Sequence, residues 1–140
     1  FGEMVEYRPV WSCNEREAVL IAGRLGLPMH QGTFRTLIER MARRLDSALI
    51  VRVGKGGAWL ARPGAEAELV AGFPVHAIDT NGAGDIFHGA FCHYILERND
   101  FLLALERAGE VASLSLASSA LIFTMPIPSM AQARPMNTLE

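Results

Sequence analysis

The chain has 140 residues, 50% of them hydrophobic and 20% charged, with 13 basic against 15 acidic side chains. That is about one domain in size, too apolar for a disordered segment and large enough to bury a core without disulfide or metal support. A net charge of −2 excludes the global positive field of a nucleic-acid or anionic-membrane binder, so neither partner is expected.

The first residue is Phe1 and no basic-then-apolar leader follows, so the chain is expected to begin within a longer protein; its Leu139-Glu140 end fits a cloning scar. Cys13 and Cys92 form no framework and no C-x-x-C pair. A reduced, cytoplasmic setting is expected, with both as small core residues.

A helix is predicted over 15–25, with Val19, Leu20 and Ala22 apolar and a stop at Gly26 and Pro28. A second runs over 33–45. There Phe34, Leu37, Ile38, Met41 and Leu45 share a stripe, while Arg35, Glu39, Arg40, Arg43 and Arg44 can face water. The arginines near its end suit the helix dipole, which favours a solvated face over a nucleic-acid patch. Residues 48–53 read as a strand buried on both faces, 54–57 as a Gly-rich turn, and 58–61 as the returning hairpin strand. Pro63-Gly64 is a further turn, and short strands are predicted over 68–71 and 75–78. A loop over 79–84 leads into a helix over 85–97. Asn99-Asp100 then cap a long helix from Phe101 to about Phe123. The stretch from Val111 to Ala133 lacks charge, but its serines and Pro126 and Pro128 make it a buried helix rather than a membrane span. Helices, then strands, then helices predict an α/β domain with a layered core.

The chemistry is carried by Ile78-Asp-Thr-Asn-Gly-Ala-Gly-Asp-Ile-Phe87. A strand ends, a Gly-rich loop follows and a helix opens. Gly82 and Gly84 permit positive φ and leave room for successive N–H groups to point at one spot. The helix start adds unpaired N–H groups and the positive end of its dipole, which together make an anion hole suited to phosphate. The Asp85 carboxylate stands at the same place, where it can accept a proton from an alcohol attacking phosphorus. The plainer alternative is that Asp85 caps the helix and the glycines turn the chain. Lys55 is followed by Gly56, which excludes a Walker A loop, and Phe87 stands where a dinucleotide fingerprint needs glycine.

Asp79-Thr-Asn-Gly-Ala-Gly-Asp85-Ile-Phe87 resembles the C-terminal signature D-T-x-G-A-G-D-x-F of the ribokinase-like (PfkB) carbohydrate kinases. Asn14-Glu-Arg-Glu17 is similar to the family's N-x-x-E motif, and Val51-Arg-Val-Gly-Lys-Gly-Gly57 to its strand and turn beside the nucleotide. The resemblance covers about Val10 to Pro128 and implies the C-terminal portion of a layered ribokinase-like fold, a central, mostly parallel sheet flanked by helices. It implies Asp85 as the base that takes the sugar-hydroxyl proton, and Gly82, Ala83 and Gly84 as N–H donors to the transferred phosphate. Arg52, Gly54 and Gly57 fall at the nucleotide, although the family often carries Thr where Arg52 stands. Residues from Gly109 to Ser118 fall, by position, at the adenine. Asn14 and Glu17 would organise Mg²⁺ through its waters. Read by themselves, those two are a helix N-cap and its capping-box partner. Asp79 and Asn81 would be ligands of a monovalent cation such as K⁺, although the loop 123–128 lacks the glycine expected there.

His88, Cys92 and His93 share a helix without a fourth ligand, so packing or hydrogen bonding is expected of His88 rather than zinc. Trp11 and Trp59 read as core or hairpin-packing residues, Phe87 and Phe91 as core, and Lys55 as an exposed turn lysine. Relatives are about twice this length, so residues 1–140 are expected to be the ATP-binding and catalytic portion of one kinase domain, without the N-terminal sugar-binding half and lid. The implied activity is transfer of the γ-phosphate of ATP to a small sugar, with poor activity for the chain alone and a homodimer in the full-length protein. A nucleoside kinase, or a non-catalytic nucleotide-binding remnant, remains an alternative.

Overall fold

A computed structural model describes residues 2–28, 32–74 and 82–117. The predicted strand over 75–78, Asp79, Asn81 and the chain beyond Ala117 lie outside the described residues.

After a short helix α1 (Gly2–Glu6), strand β1 (Trp11–Asn14) runs directly into helix α2 (Glu15–Arg24). Asn14 makes that switch. Its Oδ1 accepts from the Glu17 amide at 2.9 Å, and Glu17 Oε2 accepts from the Asn14 amide at 2.8 Å. This reciprocal capping box satisfies two donors that a helix start otherwise orphans. Helix α3 (Phe34–Leu45) is capped by Thr33, whose hydroxyl accepts from the Thr36 amide at 3.2 Å, and ends on Asp46 in the left-handed region at φ 49°. Strand β2 (Leu49–Arg52), a 3-10 turn over Gly54–Gly56, strand β3 (Ala58–Ala61) and strand β4 (Glu68–Val70) follow. Helix α4 (Ala83–Arg98) stops at Asn99, φ 52°. Asp100 Oδ1 then accepts from the amides of Leu102 and Leu103 at 3.0 and 3.1 Å, which starts helix α5 (Phe101–Ala117) as expected.

The sheet order is β1-β2-β3-β4. β1 and β2 are parallel, with Asn14 opposite Arg52, whereas β2–β3 and β3–β4 are antiparallel. The described sheet is therefore mixed rather than mostly parallel. The reason is local: the turn at 54–57 and the connection at 62–67 are too short for a crossover helix, so both returns are antiparallel.

Alternation along the strands builds two cores. Leu49, Val51 and Ala61 face α2 and α3, packing with Ala18, Ala22, Leu37, Ile38, Met41 and Ala42. Ile50, Ala58 and Leu60 face the other way, against Phe87 and Phe91 of α4 and Ala104, Leu105, Ala108 and Ala112 of α5. The result is a three-layer helix–sheet–helix arrangement. Trp11 and Trp59 are half-buried against the first core. Among the described residues no helix is long and apolar enough to cross a membrane.

Two further expectations change. Cys13 is buried but Cys92 is exposed, because α4 turns Phe87 and Phe91 inward and leaves Cys92 on the opposite side. Helix α4 begins at Ala83, not Asp85, since Gly82 takes the left-handed φ of 75° and ends the loop two residues early. β1 and α1 were not legible as elements, and their presence is a finding of the structure.

Candidate active site

Strands β1 and β2 end side by side at Asn14 and Arg52. Ligands of open α/β sheets bind beyond the carboxyl ends of such parallel strands. Four segments enclose the space beside Arg52 at the end of β2: the turn at 54–57, the end of β4 with the residues after it (Val70–Pro74), the start of α4, and the middle of α5. They line an open cavity of about 870 Å³, which falls within the usual range for small-molecule sites.

The cavity brings together residues that the sequence places far apart. Arg52, Gly54 and Gly57 line one side, Ala83 and Gly84 another, and Gly109, Ala112, Ser113 and Leu116 the third. These are the expected nucleotide turn, two of the three anion-hole residues, and the stretch matched by position to adenine. Gly82 stands at the helix start as its N-cap, with no side-chain cap. The amides of Ala83 and Gly84 thus precede the helical hydrogen-bond ladder at the positive end of the dipole. A Cβ on Gly84 would run into the Arg52 guanidinium. The guanidinium therefore lies against the opening of α4.

Asp85 is the third residue of the helix and is exposed on its first turn. Gly82, not Asp85, is the N-cap, and among the described residues no side-chain cap bond is made at this helix start. One turn on, His88 Nε2 and Ser12 Oγ share a hydrogen bond of 2.7 Å that ties α4 to β1. Burial lowers the His88 pKa below its ordinary value of 6.5; Arg52 pushes the same way, while Asp85 and Glu17 oppose. The expectation of a hydrogen-bonded His88 holds. Among the described residues no group of three or more His, Cys, Asp or Glu could hold a metal ion.

Asn14 and Glu17 are the residues that could hold Mg²⁺. Asn14 Oδ1 and Glu17 Oε2 are committed to the capping box, which leaves Glu17 Oε1 as the spare acceptor. One carboxylate oxygen fits a hydrated Mg²⁺ held mainly by a substrate's phosphates, and not an all-protein cage.

The glycines of the turn have separate reasons. Gly54 has φ 57° and open space around it. Gly57 has φ 101°, and a Cβ there would meet the Val70 carbonyl, with Gly72 N at 2.6 Å and Ala71 C at 2.7 Å. Gly72 answers it, since a Cβ there would strike the Lys55 carbonyl. The turn and the end of β4 therefore touch backbone to backbone, and Gly57 is required by chain packing as well as by its place on the cavity. Lys55 is exposed, as expected, and also borders the cavity.

Sequence reasoning missed Ser12, and missed Gly72, Phe73 and Pro74, which also line the cavity. The available signal was Gly72 ahead of Phe73-Pro74. Phe73 lies over α5, where a Cβ on Gly109 would approach its ring to 3.6 Å.

The pfkB family carbohydrate kinase model matches residues 2–128. The ribokinase of Bacillus subtilis is 32% identical over 116 residues, covering 83% of this chain and 36% of the relative. In structure the chain is similar to the ribokinase of Thermotoga maritima, with a TM-score of 0.71 and 26% identity over 83% of this chain and 38% of that one. It is also similar to the nucleoside kinase of Burkholderia thailandensis in complex with inosine, with a TM-score of 0.60 and 26% identity over 76% and 33%. The chain thus spans little more than a third of the length of the ribokinases it matches. Signature, layered α/β frame and a match over nearly the whole chain agree, and the chain belongs to the pfkB family of carbohydrate kinases.

Proposed function

We propose that this chain is the C-terminal, nucleotide-binding and catalytic portion of a ribokinase-like kinase domain, which transfers the γ-phosphate of ATP to a hydroxyl of a small sugar. The observation that carries the reading is the convergence of residues 52–57, 83–84 and 109–116 on one cavity at the carboxyl end of β2.

In this reading the nucleotide lies in the cavity, its base toward Gly109 and Phe73 and its phosphates toward Ala83 and Gly84. The sugar hydroxyl approaches from the Asp85 side. As its oxygen bonds to phosphorus, its proton passes to the Asp85 carboxylate, and the bond from the γ-phosphorus to the β,γ-bridging oxygen breaks to release ADP. The amides at the start of α4 take up charge on the transferred group. Glu17 Oε1 and the Asn14 position would hold a Mg²⁺ through its waters, and the ion would supply further charge neutralisation. Asp79 and Asn81, outside the described residues, are assigned to a monovalent cation such as K⁺ on the resemblance alone.

A second reading, a nucleoside as phosphoryl acceptor, is supported by the likeness to the nucleoside kinase in complex with inosine. Turnover by the protein that carries this chain separates the two, with ADP release measured over ribose, deoxyribose and nucleosides. Asp85→Asn is expected to lower turnover by roughly 10²–10⁴-fold, the usual contribution of a positioned general base, while Mg-ATP binding persists. Near-wild-type turnover in that variant would remove Asp85 as the base.

A further inference from the structure

Arg52 ends β2 with its guanidinium against Gly84, at the opening of α4. A helix start carries about half a positive charge, so two positive groups face one another across the cavity wall. Among the described residues no carboxylate forms an ion pair with Arg52, and its buried Nε has no hydrogen-bond partner. Burying a charged donor without a partner is unfavourable. An anion placed between the guanidinium and the α4 amides removes both penalties at once. Lys55, on the same rim, adds a third positive group.

Resting on the nucleotide reading above, we propose that Arg52 is the residue by which this cavity selects phosphate: its fork takes a terminal phosphate of a nucleoside di- or triphosphate together with the α4 amides. Planar guanidinium geometry suits two oxygens of one phosphate, which a point charge or a hydroxyl at this position does not match. Arg52 therefore acts on the phosphate end of the ligand and leaves recognition of the base to Phe73 and Gly109.

The test is calorimetry on the protein that carries this chain and on its Arg52→Thr and Arg52→Lys variants, with Mg-ADP, adenosine and inorganic pyrophosphate as probes. Arg52→Thr is expected to weaken Mg-ADP and pyrophosphate by roughly 10- to 100-fold, the worth of a charge-assisted pair, with adenosine affinity unchanged. Arg52→Lys falls between. The thermal midpoint of Arg52→Thr is expected at or above that of the parent, because an unneutralised positive contact is removed. Equal Mg-ADP affinity in parent and Arg52→Thr overturns the proposal and leaves the nucleotide reading standing. Parallel loss of adenosine and Mg-ADP also overturns it, since Arg52 would then be shaping the cavity. If the parent binds neither nucleotide nor nucleoside, the nucleotide reading fails. Arg52-dependent pyrophosphate binding would then preserve the phosphate role, and its absence would overturn both. Should Arg52→Thr fail to fold, Arg52→Lys carries the comparison: a loss on Mg-ADP with adenosine unchanged supports the role, and no loss overturns it.

Discussion

Replacing Gly57 by alanine is expected to destabilise the protein well beyond the same change at Gly64. Both residues have positive φ, 101° and 76°, and an L side chain there costs about 1–2 kcal/mol. At Gly64 nothing lies within 4 Å of the new Cβ, so that is the whole effect. At Gly57 the Cβ would lie 2.6 Å from Gly72 N and 2.7 Å from Ala71 C, closer still to the Val70 carbonyl. Those are backbone atoms, which cannot swing aside as a side chain can. The glycine cannot retreat either, because its carbonyl accepts from Val53 N at 2.9 Å and its amide donates to Gly54 O at 3.1 Å. Forcing in a methyl group adds about 1–3 kcal/mol of overpacking, giving a total of roughly 2–5 kcal/mol against a typical stability of about 5–15 kcal/mol. At an m-value of about 2 kcal/mol/M in urea, the two variants should differ in midpoint by roughly 0.5–1.5 M. Fluorescence of Trp11 and Trp59, both half-buried against the first core, reports the transition. Equal midpoints for Gly57→Ala and Gly64→Ala would refute the close approach of the turn to β4.

Three further outcomes follow from His88 and the two cysteines. As pH falls below about 6.5, His88 in the unfolded chain takes up a proton before the folded one, whose pKa is held down by burial and then by Arg52. Stability should therefore decline on acidification through that range, and decline less in His88→Gln; identical pH slopes in the two proteins would refute the assignment. Burial, reinforced by Glu17 and opposed by Arg52, pushes the Cys13 thiol from 9.0 to about 11. The unfolded thiol ionises first, so stability drains as pH rises between those values, and Cys13→Ala should flatten that limb. Alkylation of the folded chain should modify exposed Cys92 and spare Cys13; equal labelling rates would contradict the burial.

Much of the frame was legible because local and tertiary signals agree. The stripe of α3 reappears as Leu37, Ile38, Met41 and Leu45, all buried, and the strand 48–53 appears as β2, with Leu49, Ile50 and Val51 buried between two helical layers. Phe87 and Phe91 sit in the core one turn apart. β1 was not legible because Trp-Ser-Cys-Asn is too short to show alternation; it is a strand by virtue of its pairing with β2. The early start of α4 was hidden because Gly-Ala-Gly reads as loop, and the left-handed Gly82 alone decides where the helix begins. The site was legible as motifs but not as neighbours: nothing local says that Arg52 rests on Gly84, or that Ser12 reaches His88. Those contacts are long-range and depend on the layers closing.

The mutual contact of Gly57 and Gly72 makes the two positions energetically one. A methyl group at either forces the same two backbones apart, and once they have parted the second methyl meets little resistance. A chain drifting in sequence would thus meet most of the steric barrier at its first step, while the positive φ of Gly57 costs about 1–2 kcal/mol in either order. The turn and the end of β4 behave as a latch with two residues but a single release.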